Sequence, residues 1–167
     1  MTNQRTVTIH PGELTIGFSR EFEAPAARVF VAHTDPALVA RWIGPRGTQL
    51  TMREFDARTG GRWSYVVAGN EGEWAFYGSF HEVTAPTRLV QTFEYEGSPE
   101  HPSLEIFAFT DIGGGRSRID ALSVFPSVEH RDATLDLDSG RDEDFERLDE
   151  LLAAGDADPV ALDASSS

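Results

Sequence analysis

The sequence predicts an α+β domain in which a curved antiparallel β-sheet wraps around one long C-terminal helix. Three observations predict it. From Arg62 to Val124, apolar and polar residues alternate with period two in short runs separated by turn residues, as in an antiparallel meander. Two short helical segments, each opened by a proline, precede that meander. After it, Phe145, Leu148, Leu151 and Leu152 recur at helical spacing among Asp, Glu and Arg, so one amphipathic helix has an apolar stripe to bury on the sheet.

Thr6 to His10 reads as an extra edge strand turned at Pro11-Gly12, making residues 1–13 an extension of the domain. The next strand carries Ile16, Phe18, Arg20 and Phe22 on one face. Ala24-Pro25 opens the first short helix and Asp35-Pro36 the second. A proline in the first turn loses no hydrogen bond, and the Asp35 carboxylate can accept from free first-turn amides. Gly44-Pro45 stops the second helix. A strand then runs to Asp56-Ala57-Arg58-Thr59-Gly60-Gly61, where paired glycines permit a tight reversal.

Arg62 to Ala68 and Trp74 to Glu82 are strands joined through Gly69-Asn70-Glu71-Gly72. Trp74, Phe76, Gly78 and Phe80 share one face of the second; Ala75, Tyr77, Ser79 and His81 share the other. Strands from Arg88 to Tyr95, Leu104 to Asp111 and Arg116 to Val124 complete the meander. Pro126 to Leu137 reads as a polar connection with one helical turn capped by Ser127. Ser139 with Asp142 has the form of a capping box, and Asp142, Glu143 and Asp144 suit a helix N-terminus. Gly155 ends that helix. Residues 155–167, small, acidic and Ser-rich, read as a disordered tail, leaving 14–154 as the domain.

At 167 residues the chain fits one domain. No apolar run approaches the roughly 18 residues of a membrane span, and MTNQRTVTIHPGE lacks the layout of a signal peptide. A cytoplasmic protein is the expectation. With no cysteine there is no disulfide, thiol nucleophile or thiolate metal site; with no lysine there is no Schiff-base chemistry on a side chain. The net charge of −14 is uneven, because thirteen acids and three arginines lie from Glu129 onward. Such a field disfavours nucleic acid and anionic membrane surfaces.

The stretch FSREFEAPAARVFVAHTDPALVARWIGPRGTQLTMREFDARTGGRW, from Phe18 to Trp63, resembles the opening of the activator of heat-shock protein 90 ATPase homologue-like family. That family belongs to the START-like (SRPBCC) superfamily, and the resemblance covers residues 15–153. It implies a bacterial-type helix-grip fold, with two short N-terminal helices plugging one end of a hydrophobic cavity. Family members often carry Gly-Met-Glu-Glu-Gly before an Arg-Leu-Asp-Glu-Leu-Leu helix. Here Gly140 and Arg147-Leu148-Asp149-Glu150-Leu151-Leu152 are present, with about one turn less between them.

Three functions follow as expectations. The first is non-catalytic binding of an apolar small molecule, lipid or polyketide-like, between sheet and C-terminal helix. Trp63, Tyr65, Phe76, Phe93 and Phe107 would form the wall, Leu148 and Leu152 the lid. The same aromatics equally suit an ordinary core. The second is a protein-interaction or chaperone-ATPase-activator module, with the acidic C-terminal segment as its contact. Eukaryotic-type activators carry a further N-terminal domain for which this chain has no room, so the family name is not itself an activity. The third is a polyketide cyclase-like enzyme, whose polar candidates are Arg62, Tyr65, Tyr95, Glu54 and Asp120. His10, His33, His81, His101 and His130 show no metal-binding spacing, and no cofactor is expected. The Thr6 to His10 edge leaves a homodimer open.

Overall fold

The computed structural model describes residues 3–10, 12–137 and 139–155. The chain forms β1 (Thr6–Thr8), β2 (Thr15–Phe22), α1 (Ala26–Thr34), α2 (Pro36–Trp42), β3 (Gln49–Phe55), β4 (Arg62–Gly69), β5 (Gly72–Thr84), β6 (Arg88–Tyr95), β7 (Ser103–Gly113), β8 (Arg116–Val124), α3 (Val128–Asp136) and α4 (Ser139–Ala153). The strands make one eight-stranded sheet in the order β1-β2-β8-β7-β6-β5-β4-β3. Every pairing is antiparallel. From β3 to β8 the sheet is a simple meander. β2 then pairs with β8, so α1 and α2 carry the chain across from β2 to the far edge at β3. This is the helix-grip arrangement.

Local signals behave as their chemistry requires. The Asp35 carboxylate accepts from the amides of Ala37 (2.9 Å) and Leu38 (3.3 Å), capping α2 with Pro36 in its first turn. Gly69 pairs with Gly72, leaving Asn70-Glu71 as a two-residue hairpin loop. Trp63 stands opposite Gly78, and a Cβ added at Gly78 would lie 2.0 Å from the Thr92 carbonyl oxygen and 2.6 Å from Trp63 Nε1. Only a glycine lets the indole lie over that strand.

The core lies between the concave face of the sheet and the helices. Ile16, Phe18, Arg20 and Phe22 alternate onto that face and are buried. Phe145 of α4 packs its ring 5.6 Å from both Phe18 and Phe22, and stacks on Trp42 of α2 at 5.9 Å. The one charge in the β2 row is Arg20, 3% exposed. It makes two hydrogen bonds to the carboxylate of Asp149 in α4, at 2.6 and 2.9 Å. Its guanidinium lies over the Phe22 ring at 4.7 Å and the Phe145 ring at 5.6 Å. A guanidinium tolerates this site because its flat faces are weakly hydrated while its edge satisfies a carboxylate.

Two expectations need correction. The connection after Pro126 is a nine-residue helix rather than a single turn, although Ser127 does cap it by accepting from the His130 amide at 3.1 Å. Its buried residue is Arg131, which donates to the carbonyls of His10 (3.0 Å) and Glu13 (2.5 Å). A helix held by a buried arginine leaves no apolar periodicity to read. Ser139, expected just before the last helix, is already within α4. The tail beyond Gly155 lies outside the described residues.

Replacing Asp149 with Ala leaves Arg20 inside the domain without its counter-charge. The expected loss of unfolding free energy is roughly 2–3 kcal/mol, between exposed and fully buried pairs, because the Asp149 side chain is 31% exposed. Urea denaturation measures it; a loss below about 0.5 kcal/mol, the scatter of ordinary surface changes, contradicts this role. Gly78→Ala should destabilise by about 3 kcal/mol or more, since backbone and indole must both shift. Unchanged thermal unfolding of that variant would show that the sheet absorbs the methyl group.

Candidate functional site

Strand register builds a row of rings on the concave face. Tyr65 of β4 is opposite Phe76 of β5, which is opposite Tyr95 of β6. Ring centres are 5.1 Å apart for Trp63–Tyr65, 5.6 Å for Trp63–Phe93, 5.7 Å for Tyr65–Phe76, 5.3 Å for Phe76–Phe93 and 5.4 Å for Phe76–Tyr95. The row runs from the interior outward. Trp63 and Tyr65 are buried, Phe76 and Phe93 half-buried, and Tyr95 is 36% exposed. The Trp63 indole N–H is buried without a hydrogen-bond partner.

Beside these rings the same face turns polar. A cross-strand row of β2, β8, β7 and β6 reads Ile16, Ser123, Glu105, Gln91. Ser103, two residues before Glu105, is opposite Phe93. Ser103, Glu105 and Ser123 are all buried. The cation facing Glu105 is Arg141, from the first turn of α4, with Nη2 3.7 Å from a carboxylate oxygen. Arg141 also lies over the Phe18 ring at 5.2 Å and keeps 30% of its side chain exposed.

Burial shifts the titration of these groups. It raises the Glu105 carboxyl, and Arg141 opposes the rise. It also raises the Tyr65 hydroxyl, helped by the charges of Glu105 and Asp144. Asp144 of α4 accepts from the Gly44 amide at 3.1 Å, and burial still lifts it to about 7. His33 is driven down to about 4 by burial, with Nδ1 2.8 Å from the Val29 carbonyl oxygen and its ring packed on Trp42 and Phe109. It is a neutral core side chain at the end of α1.

The structure gathers Trp63, Tyr65, Phe76 and Phe93 into one contiguous surface. Phe107 faces the same interior farther along the sheet, with His33 6.0 Å from its ring. Leu148 and Leu152 are buried core residues of α4. Arg62 and Glu54 are exposed and 3.7 Å apart, and Asp120 pairs with Arg118 at 2.9 Å on the exposed face. None of these three supplies a polar group to the concave side; of the polar candidates, Tyr65 and Tyr95 do. Glu105 and Arg141 escaped the sequence reading. The available signal was a glutamate in phase with Phe107 and Phe109 on the buried face of the strand.

The acids of α4 are met from within. Asp142 pairs with Arg5 at 2.6 Å and Glu150 with both ends of the Arg46 guanidinium at 3.0 and 3.1 Å. Glu143 accepts from the Arg46 amide at 2.9 Å, while Arg147 donates to the carbonyls of Gly44 and Arg41. The helix thereby straps the loop after α2 to itself.

An eight-stranded antiparallel sheet gripping a C-terminal helix over a mixed aromatic and polar interior is a START-like, helix-grip domain. Residues 23–153 match the family described as Activator of Hsp90 ATPase homolog 1-like protein, and the chain belongs to that family. The fold is similar to that of a Mycobacterium smegmatis protein, at 24% identity over 90% of this chain and 97% of that one, TM-score 0.80. A Rhodobacter sphaeroides protein gives 25% identity, 90% and 99% coverage, and TM-score 0.81. An HSP90 activator from Plasmodium falciparum shares the fold at 21% identity over 66% of this chain and 72% of that one, TM-score 0.54. None of the curated proteins compared with the chain matches it. Among the described residues no helix is long and apolar enough to cross a membrane.

Asp144 makes stability fall as pH rises. With its carboxyl raised from 3.8 to about 7, the folded protein holds a proton there that the unfolded chain releases between those values. Asp144→Asn removes this dependence. From pH 5 to pH 8 the wild type should lose about 1–3 kcal/mol relative to the variant. Denaturant midpoints at the two pH values decide it; a constant difference means Asp144 titrates normally.

Proposed function

We propose that the domain binds a largely apolar small molecule on the concave aromatic row, beneath α4, without catalysis. One observation carries this reading. Phe76, Phe93 and Tyr95 line the interior side of the sheet, are continuous with buried Trp63 and Tyr65, and yet are incompletely covered. A ligand that covers those rings removes apolar surface from water, worth about 25 cal/mol per Å2. The family's START-like fold supports such a use of that face.

A second reading, a module acting on a partner protein such as a chaperone ATPase, draws on the family description and on the fold shared with the P. falciparum HSP90 activator. The acidic C-terminal segment supports it less than its charge implies, because Asp142, Asp149 and Glu150 already pair with arginines of the same chain.

Titration with the neutral fluorophore N-phenyl-1-naphthylamine tests the first reading. Saturable one-to-one binding is expected, weakened about ten-fold by Phe76→Ala or Phe93→Ala through loss of ring contact. Absence of saturable binding, or binding unaffected by both substitutions, removes the aromatic row as the site.

A further inference from the structure

The ligand's polar end follows from the Glu105–Arg141 pair, and this inference rests on the binding reading above. Glu105 is 6% exposed at the centre of the concave face, one register step from Phe93 of the aromatic row. Its counter-charge stands 3.7 Å away, beyond direct hydrogen-bonding range. A buried carboxylate is thus left with an electrostatic partner but no short hydrogen bond to it. Arg141 lays its guanidinium over the Phe18 ring and keeps 30% of its side chain exposed, so it is held beside Glu105 without being closed off from water. An oxygen bridging an acceptor and a donor spans about 4.5 Å, slightly more than the present gap.

We propose that this pair selects an aromatic ligand bearing a neutral hydroxyl, which donates to Glu105 and accepts from Arg141 while its rings lie on Phe76 and Phe93. A hydroxyl satisfies both sides at once, having one proton and two lone pairs. A carboxylate has no proton to give and sets its charge against Glu105. An ammonium has no lone pair for Arg141. An unsubstituted hydrocarbon leaves both charged groups as they are and gains only ring contact.

Three probes of one shape separate these cases: naphthalene, 2-naphthol and 2-naphthoate, titrated calorimetrically at neutral pH against the wild type, Glu105→Leu and Glu105→Gln. Wild type should bind 2-naphthol about ten-fold more tightly than naphthalene, the ordinary effect of a hydrogen bond to a buried charge. It should bind 2-naphthoate more weakly than either. In Glu105→Leu the hydroxyl preference should vanish while naphthalene binding persists, which also shows that the variant is folded. In Glu105→Gln, with the negative charge gone and Arg141 retained, 2-naphthoate should gain about ten-fold. If naphthalene binds but 2-naphthol shows no advantage, or the advantage survives Glu105→Leu, the hydroxyl assignment is wrong and the binding reading stands. If no probe binds the wild type, both fall.

Discussion

Arg20 sits on the buried face of a strand, and its counter-charge comes from a helix more than a hundred residues later. Because a guanidinium at that depth must be paired, Asp149 fixes where α4 lies along its own axis. One turn back, Phe145 then falls between Phe18 and Phe22 and against Trp42. Two turns back, about 12 Å along the helix, Arg141 reaches over Phe18 to Glu105. The ion pair thus sets the register of the helix on the sheet, and the apolar contacts and the polar centre inherit it.

The formal charge of −14 gives little idea of how charge is used. The acids that make the C-terminal segment so negative include those that tie α4 to Arg5, Arg20 and Arg46. Arginine suits these ties better than lysine would. Arg5, Arg20 and Arg141 all lie against phenylalanine rings as well as facing carboxylates, a combination that needs a flat cation with donors along its edge. The N-terminal extension belongs to this scheme: β1 pairs with β2, and the Asn3 carbonyl accepts from Arg20 at 3.1 Å.

The candidate site juxtaposes two kinds of surface with different origins. The aromatic row follows from strand register, which lines up Tyr65, Phe76 and Tyr95 and lets Trp63 lie over Gly78. The polar centre needs a helix as well as a sheet, since Glu105 comes from β7 and Arg141 from α4. This is why half of the site was legible beforehand. Alternating aromatics on consecutive strands announce a shared face. A glutamate among phenylalanines announces only an exception to the pattern, not the cation that answers it.

By itself the sequence determined the elements whose causes are local. Period-two alternation specified the strands, Asp35 and Pro36 the start of α2, and Gly69 to Gly72 the hairpin, because each acts on residues within a few positions of itself. The family followed from the same local signatures. Tertiary structure alone decided that β2 closes on β8, that α3 is a helix held by Arg131, and which acid meets which arginine. Those outcomes depend on distances between residues far apart in the chain. No periodicity encodes them, and burial makes them count by removing the water that would otherwise have satisfied each charge separately.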